Sequence, residues 1–246
     1  MAIVVVALFI WIPPALGCYG GAPLAMGGAY IAQAEDSLAV YWNPAGLAFS
    51  TPGFSVSNTL SHPMNAINYD RFIGISAANG DAGIALGYTG LADWAPDQSW
   101  LQSSIGFRLG SWNAIGLTYR RERLRQSPAM DSWDFGWQFR SGPLAMGLLV
   151  QDVGKPWENI RPGIALLLPQ VTLALNVYDL EDRNNAFGYC IGAEYWPFKF
   201  LALRAGNYLD NMTAGIGLTW KSITLDWSYL GDDLGGVQHV TLGVKF

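Results

Sequence analysis

"SITLDWSYL", Ser222 to Leu230, separates into two faces when read every second residue. Ile223, Leu225, Trp227 and Tyr229 fall on one face and Thr224, Asp226 and Ser228 on the other, which is the period of a strand. A soluble sandwich and a membrane barrel share that period, so the second face has to decide between them. Working outward, "DSWDFGWQFR" sets Trp133, Phe135, Trp137 and Phe139 against Asp134, Gly136, Gln138 and Arg140. "NMTAGIGLTW" sets Met212, Ala214, Ile216, Leu218 and Trp220 against Thr213, Gly215, Gly217 and Thr219. A soluble sandwich would clothe its second face in Lys, Glu and Thr. Here that face is Gly, Ala, Ser and Thr with isolated charges, which suits a crowded polar interior. Apolar out and polar in, with aromatics near strand ends, is the pattern of a transmembrane barrel.

The same segment type recurs from Phe54 to the end, closed each time by Gly, Pro, Asn, Asp or Ser. The pattern predicts an all-β chain of about 14 antiparallel strands, near 54–60, 67–78, 82–89, 100–109, 112–121, 132–140, 143–151, 162–168, 170–178, 186–196, 199–207, 212–220, 222–230 and 237–246. Connections alternate between short ("NGD", "GS", "SGP", "PQ", "PFK", "KS") and mostly longer ("SHPMNA", "GLADWAPDQS", "RERLRQSPAMD", "DVGKPWENIR", "LEDRNN", "LDN", "GDDLGG"). Bacterial outer-membrane barrels keep tight turns on the periplasmic side and longer loops outside. An even strand number with both termini in the periplasm follows, in the outer membrane of a diderm bacterium. The expected partners are outer-membrane lipid and the outer-membrane assembly machinery, with Phe246, an aromatic end on an alternating strand, as the assembly signal.

Composition agrees. Only 13% of the 246 residues are charged, another 13% are aromatic, and Gly numbers 29. Soluble domains carry about 25% charge. The formal charge of -5 and the absence of a basic stripe argue against nucleic acid. "RRERLR", Arg120 to Arg125, is interrupted by Glu122 and is expected in a loop. Ala2–Gly17 is apolar but broken by Pro13 and Pro14, and falls short of the roughly 20 residues a spanning helix needs. It reads as a signal peptide over 1–17, although no Lys or Arg precedes it. "ALGC" also approximates a lipoprotein box that would acylate Cys18. Cys18 and Cys190 make no disulfide framework.

Residues 18–52 are not strand-like. They are Ala- and Gly-rich, divided at Gly27-Gly28, and end in "AVYWNPAGLA" (Ala39–Ala48). Pro44 disfavours helix at Asn43, the Asn amide can close a helix end, and Gly46 permits a tight turn. The segment is expected to fold up into the lumen as a hatch, with 53–246 forming the barrel. Inward small residues (Gly74, Gly83, Ala85, Gly87, Gly106, Gly116, Gly147, Gly188, Gly192) would leave it room. The inward charges Arg108, Arg120, Arg140, Glu194, Arg204 and Asp226 are the candidate lumen polar set, and inward Arg, Asp and Thr side chains the expected partners of buried Asn43. Phe72, Leu149 and Phe200 are candidates for an apolar lumen pocket.

"GGAYIAQAEDSLAVYWNPAGLA", Gly27 to Ala48, resembles the N-terminal signature of the FadL superfamily of outer-membrane barrels, closest to its PorV/PorQ-like branch. The match lies in Gly-Gly-Ala, Ala34-x-Asp36, Ala39 and Asn43-Pro44-Ala45-Gly46-Leu47. The resemblance implies a hatch motif of Asp36, Asn43, Pro44, Ala45 and Gly46 occluding the lumen. From the FadL branch it implies passive, porin-like diffusion of hydrophobic small molecules, with a side opening in the wall. From the PorV branch it implies an accessory role in protein secretion, with an exported protein as partner. The longest loops run to only ten or so residues, short for the external capture groove of FadL-type transporters. An enzyme is not expected: the two histidines, His62 and His239, form no triad with a Ser and an acid. No metal site or cofactor is expected, for want of a spaced His/Cys cluster.

Overall fold

The structure, a computed structural model, describes residues 19–63, 70–91, 98–123, 128–231 and 236–246. The signal peptide over 1–17 and the acylation of Cys18 fall outside them. Fourteen strands close into one antiparallel barrel: β1 (Gly53–Pro63), β2 (Asp70–Ala78), β3 (Ala82–Gly90), β4 (Ser99–Leu109), β5 (Asn113–Arg123), β6 (Met130–Ser141), β7 (Leu144–Gln151), β8 (Asn159–Leu167), β9 (Val171–Tyr178), β10 (Gly188–Phe198), β11 (Leu201–Tyr208), β12 (Asn211–Trp220), β13 (Ile223–Leu230) and β14 (Val237–Lys245). Each pairs with its sequence neighbours, and β1 pairs with β14 to close the ring, Ser55 opposite Lys245 and Ser61 opposite His239. Closure leaves no free edge, so the wall's backbone groups can be satisfied without water.

The alternation decides what faces lipid. Along β12, Met212, Ala214, Ile216, Leu218 and Trp220 are exposed while Thr213, Gly215 and Gly217 are buried. Along β13, Ile223, Leu225 and Trp227 are exposed and Ser228 is buried. The outer surface is a belt of exposed Leu, Ile, Phe, Tyr and Trp, the surface of a membrane-spanning barrel. Among the described residues no helix is long and apolar enough to cross a membrane; the strands do the crossing.

The apolar core lies inside the barrel, between the wall and the segment that precedes β1. That segment holds α1 (Gly21–Ala25), a 3-10 turn at Asp36–Leu38, α2 (Ala39–Trp42) and a second 3-10 stretch at Pro44–Phe49. It turns twice at Gly27 (φ 61) and Gly28 (φ 74), conformations that cost glycine nothing. α1 packs on β11–β14, the Asp36–Leu38 turn on β1–β3, α2 on β3 and β4, and Pro44–Phe49 on β2–β6. Leu24, Met26, Ile31, Val40, Trp42 and Leu47 are all at most 2% exposed, so an N-terminal plug fills the middle of the barrel. Wall glycines make this possible. A Cβ on Gly106 or Gly116 would collide with Pro44, on Gly136 with the Asn43 side chain, and on Gly192 with the Met26 carbonyl. Gly188, expected to make room for the plug, instead sits against Leu209.

Several strand limits differ from the sequence reading by two residues or more, and in three of them the pairing shows why. β8 starts at Asn159 rather than at 162, because Asn159, Ile160 and Arg161 keep their rungs to β7 on the far side of Pro162. β1 runs on to Pro63 because His62 and Pro63 still lie opposite Gln238 and Val237. β5 continues to Arg123 rather than 121, so Arg120, Arg121, Glu122 and Arg123 of "RRERLR" are strand residues and not loop. Tyr119 and Arg121 both reach Asp131 on β6, which holds the strand pair together beyond the expected end.

Candidate functional site

The short turns lie at one end of the barrel with Pro52 and Phe246; the strand ends that the longer connections join lie at the other. Asn43 sits between the ends. Its Oδ1 accepts the Ala45 N–H at 3.2 Å, capping the Pro44–Phe49 stretch. Its Nδ2 donates to the Ile31 carbonyl at 3.0 Å and to the Trp137 carbonyl in the wall at 3.1 Å. The expected side-chain partners are therefore replaced by main chain, since Gly136 lets the amide come right against β6. Gly46 packs so closely on the Ala34 carbonyl that no Cβ fits. Asp36 takes a left-handed conformation (φ 57), with its N–H donating to Ser50 Oγ at 2.7 Å and its carboxylate paired with Lys245.

The candidate lumen charges are all inward, in three groups. At the loop end Arg120 bridges Asp134 (3.0 Å) and Asp152 (2.8 Å). Toward the short turns, Arg108 donates to the Ala48 carbonyl at 3.2 Å and Arg140 pairs with Glu35 at 3.3 Å. The two guanidiniums lie over the Phe49 ring at 4.9 and 4.8 Å. On the far wall Arg204 holds Glu194 and Asp226, each at 2.6 Å. Two of these groups, with Glu35, Asp36, Lys221 and Lys245, border a vestibule of about 460 Å3 between the plug and the short-turn mouth. Burial and the nearby Glu35 and Glu194 carboxylates hold the Tyr30 phenol far above its ordinary range, so it meets the vestibule as a neutral hydroxyl.

On the opposite side of the plug the lining changes. Tyr19 stacks on Phe72 (5.8 Å) and lies edge-on to Tyr41 (5.4 Å), and Trp42 lies edge-on to Tyr30 (5.9 Å) and Tyr41 (5.5 Å). Phe72 and Leu149 are buried in this cluster, as filling against the plug rather than the wall of an open pocket. Phe200 is not in the lumen. It is 55% exposed, in the turn after β10, stacked on Phe198 at 5.5 Å. β11 begins only at Leu201, so the alternation that buries Ala202 and Arg204 stops short of Phe200 and leaves it in the turn. Phe246 is exposed, exchanges backbone hydrogen bonds with Phe54 and lies 6.2 Å from its ring. His239 faces the lumen, stacked against Tyr19 at 6.3 Å, and His62 faces outward.

The wall is weakest between β8 and β9. Their ladder pairs Gly163 with Asn176 through Leu167 with Thr172 and stops there, the shortest in the barrel. The next residue of β8 is Pro162, which has no N–H to offer; contact resumes as Leu180 N–H to the Ile160 carbonyl at 3.0 Å. Directly inside is a cavity of about 10 Å3, bordered by Gly28 and Ile31 of the plug, by Trp42, Cys190 and Tyr208, and by Arg161, whose guanidinium lies over the Tyr178 ring at 4.0 Å. Asn176 crosses it to donate to the Gly28 carbonyl at 2.8 Å, and its Oδ1 has no hydrogen-bond partner among the described residues. Asn176, Gln138 and Asp134 were not among the candidate site residues, although each sits at an inward position of a recognised strand. Gln138 donates to the Ile31 and Ala34 carbonyls at 3.0 and 3.1 Å.

No family model matches the chain, and no curated protein matches it in sequence. Solved structures do match. The toluene transporter TbuX of Ralstonia pickettii superposes with a TM-score of 0.64 at 12% identity, over 94% of this chain and 98% of that one. The toluene transporter TodX of P. putida gives 0.65 at 12% identity, over 94% and 99%. The outer membrane protein Omp33 of Acinetobacter baumannii gives 0.59 at 6% identity, over 79% and 98%. These chains share one barrel fold. At such identities the likeness is of architecture.

Proposed function

We propose that this protein is an outer-membrane channel through which small apolar molecules pass passively, entering from the loop end and leaving sideways through the wall between β8 and β9. The observation that carries the reading is the coincidence of the interrupted β8–β9 ladder with a small cavity against the Gly27–Gly28 turn of the plug, lined mainly by aromatic and aliphatic side chains with Arg161 and Asn176 among them. An axial route would bring an apolar solute into the vestibule, where it meets Arg140, Glu194, Arg204 and Asp226. Charged groups hold water, and an apolar molecule gains nothing by entering. A lateral exit delivers it into hydrocarbon instead.

At about 10 Å3 the cavity admits no more than a water, so the Gly27–Ala34 stretch has to move for a solute to pass. Its two glycines supply the hinge, and the hatch residues Asp36, Asn43, Pro44, Ala45 and Gly46 hold the remainder of the plug in place. TbuX and TodX are toluene transporters and CymD is a monoaromatic hydrocarbon channel; monoaromatics are accordingly the first solutes to try. In this reading both termini lie in the periplasm and Phe246 is the signal read by the assembly machinery, supported by the short turns sharing an end with Pro52 and Phe246.

The test uses intact cells, since a plain phospholipid bilayer already passes apolar solutes while a lipopolysaccharide leaflet retards them. Cells producing the protein take up N-phenyl-1-naphthylamine, read as its fluorescence in phospholipid, several-fold faster than cells without it, and gain nothing for a small sugar. Sugar uptake rising with dye uptake would make this an aqueous pore. No gain for either, with the barrel folded, would favour the PorV-like secretion accessory or an envelope partner protein.

A further inference from the structure

The plug touches the seam strands β1 and β14 differently from the rest of the wall. Elsewhere it packs on glycines, its carbonyls accept from wall side chains such as Gln138, Asn176 and Thr213, or its side chains reach the wall, as Glu35 does Arg140 and Asn43 the Trp137 carbonyl. At the seam the wall offers hydroxyls: Ser55, Ser57, Thr59 and Ser61 are the buried inward face of β1, and Thr241 faces them from β14. Ser37 donates its N–H to Ser55 Oγ and its hydroxyl to Ser57 Oγ, both at 3.0 Å. Gly21 donates its N–H to Thr241 Oγ1 at 2.7 Å, and Thr241 in turn meets Thr59 across the seam at 2.8 Å. Asp36 pairs with Lys245. The plug therefore grips β1 at one turn and β14 at two points four residues apart, about 13 Å along a strand.

That spacing has a use. The seam joins residues far apart in sequence, Ser55 with Lys245 for example, so it is the costliest rung set to close and nothing local fixes its register. Alternation excludes a one-residue slip, which would turn apolar side chains inward, but it tolerates a slip of two. A slip of two carries Thr241 away from Gly21 and Lys245 away from Asp36 together, by roughly 6.6 Å. We propose that the plug, covalently joined to β1 through Pro52, is the gauge that sets the register in which β14 closes the barrel. The segment then has an assembly function apart from any part in permeation.

Paired cysteines on the outward face test this, in the full chain with Cys18→Ala and Cys190→Ala. Leu60→Cys with Val240→Cys reports the native register, since the two residues are directly opposed; Leu60→Cys with Leu242→Cys or with Gln238→Cys reports a slip of two either way. With the plug anchors intact, oxidation during refolding into detergent cross-links the native pair alone. With Asp36→Ala, Ser37→Ala and Thr241→Val together, slipped pairs form at a tenth or more of the native yield, or the barrel stays open and loses its heat-resistant gel mobility. In that second case, the native-register cross-link, formed while the chain refolds, restores the mobility. Native-only cross-linking at undiminished yield in the anchor variant overturns the proposal, as does an open barrel that the native cross-link fails to rescue. Asn43→Ala, which removes an anchor far from the seam, leaves the register native.

Discussion

Replacing Asn43 with Ala removes a side chain whose every polar atom is engaged in the barrel interior. Ile31's carbonyl keeps a donor, because Gln138 also reaches it at 3.0 Å. The Ala45 N–H does not, and the cap of the Pro44–Phe49 stretch is lost. That cap is the Ala45 hydrogen bond itself, and a buried group left without a partner costs about 1–3 kcal/mol. The plug should therefore become easier to open by about 1–3 kcal/mol, or about 5- to 150-fold in its opening equilibrium. Hydrogen exchange in detergent measures this residue by residue. Exchange at Ala45 and Gly46 should rise by that factor while the β12–β13 ladder keeps its protection, and dye uptake should rise with it. Unchanged exchange at Ala45 would refute the hydrogen-bond argument. An equal rise in plug and wall would mean that Asn43 supports the barrel itself and not the plug alone.

Two further substitutions test the facing of the wall and its charges. Leu225→Arg puts a charge into lipid at a cost of about 1–3 kcal/mol, between interface and midplane values, while Thr224→Arg points it into the vestibule. Urea titration followed by gel mobility should show the first variant opening at lower urea and the second close to the parent; equal effects would undo the assignment of faces. Arg204→Leu strands two carboxylates, for which the usual penalty is about 3–5 kcal/mol. Glu194 and Asp226 keep 17% and 13% side-chain exposure to the vestibule, so the lower end is expected. Adding Glu194→Gln and Asp226→Asn should recover most of it in the same titration, and a triple variant no better than the single would contradict the charge argument.

The strands were legible because a wall between lipid and a crowded interior imposes period two on nearly every residue, as in Ile223–Leu230. The plug was legible because "NPAG" stops a helix and the wall glycines that admit it lie at inward positions of recognised strands. What stayed hidden depended on breaks in the period or on contacts between distant segments. β11 begins one residue after Phe200 and leaves it facing out in the turn, and no local signal marks that limit. Asp152, with φ 56 beyond the end of β7, reaches Arg120 only in three dimensions. Pro162 was a visible signal, a proline within an apolar run, yet its consequence depended on β9 having no rung to offer beyond Asn176. Asn43 was expected to meet side chains, and the glycine that brings it to main chain instead lies 93 positions away in sequence, at Gly136.

The lateral exit is tested most directly by closing it. Pro162→Cys and Val177→Cys flank the interrupted stretch of the β8–β9 ladder, and a short bis-methanethiosulfonate applied to cells would tie the strands together there through two disulfides. Uptake of N-phenyl-1-naphthylamine should fall to the level of cells lacking the protein, and return when reductant releases the link. Undiminished uptake through a fully cross-linked barrel would mean that the solute leaves by another way, and the exit between β8 and β9 would have to be given up.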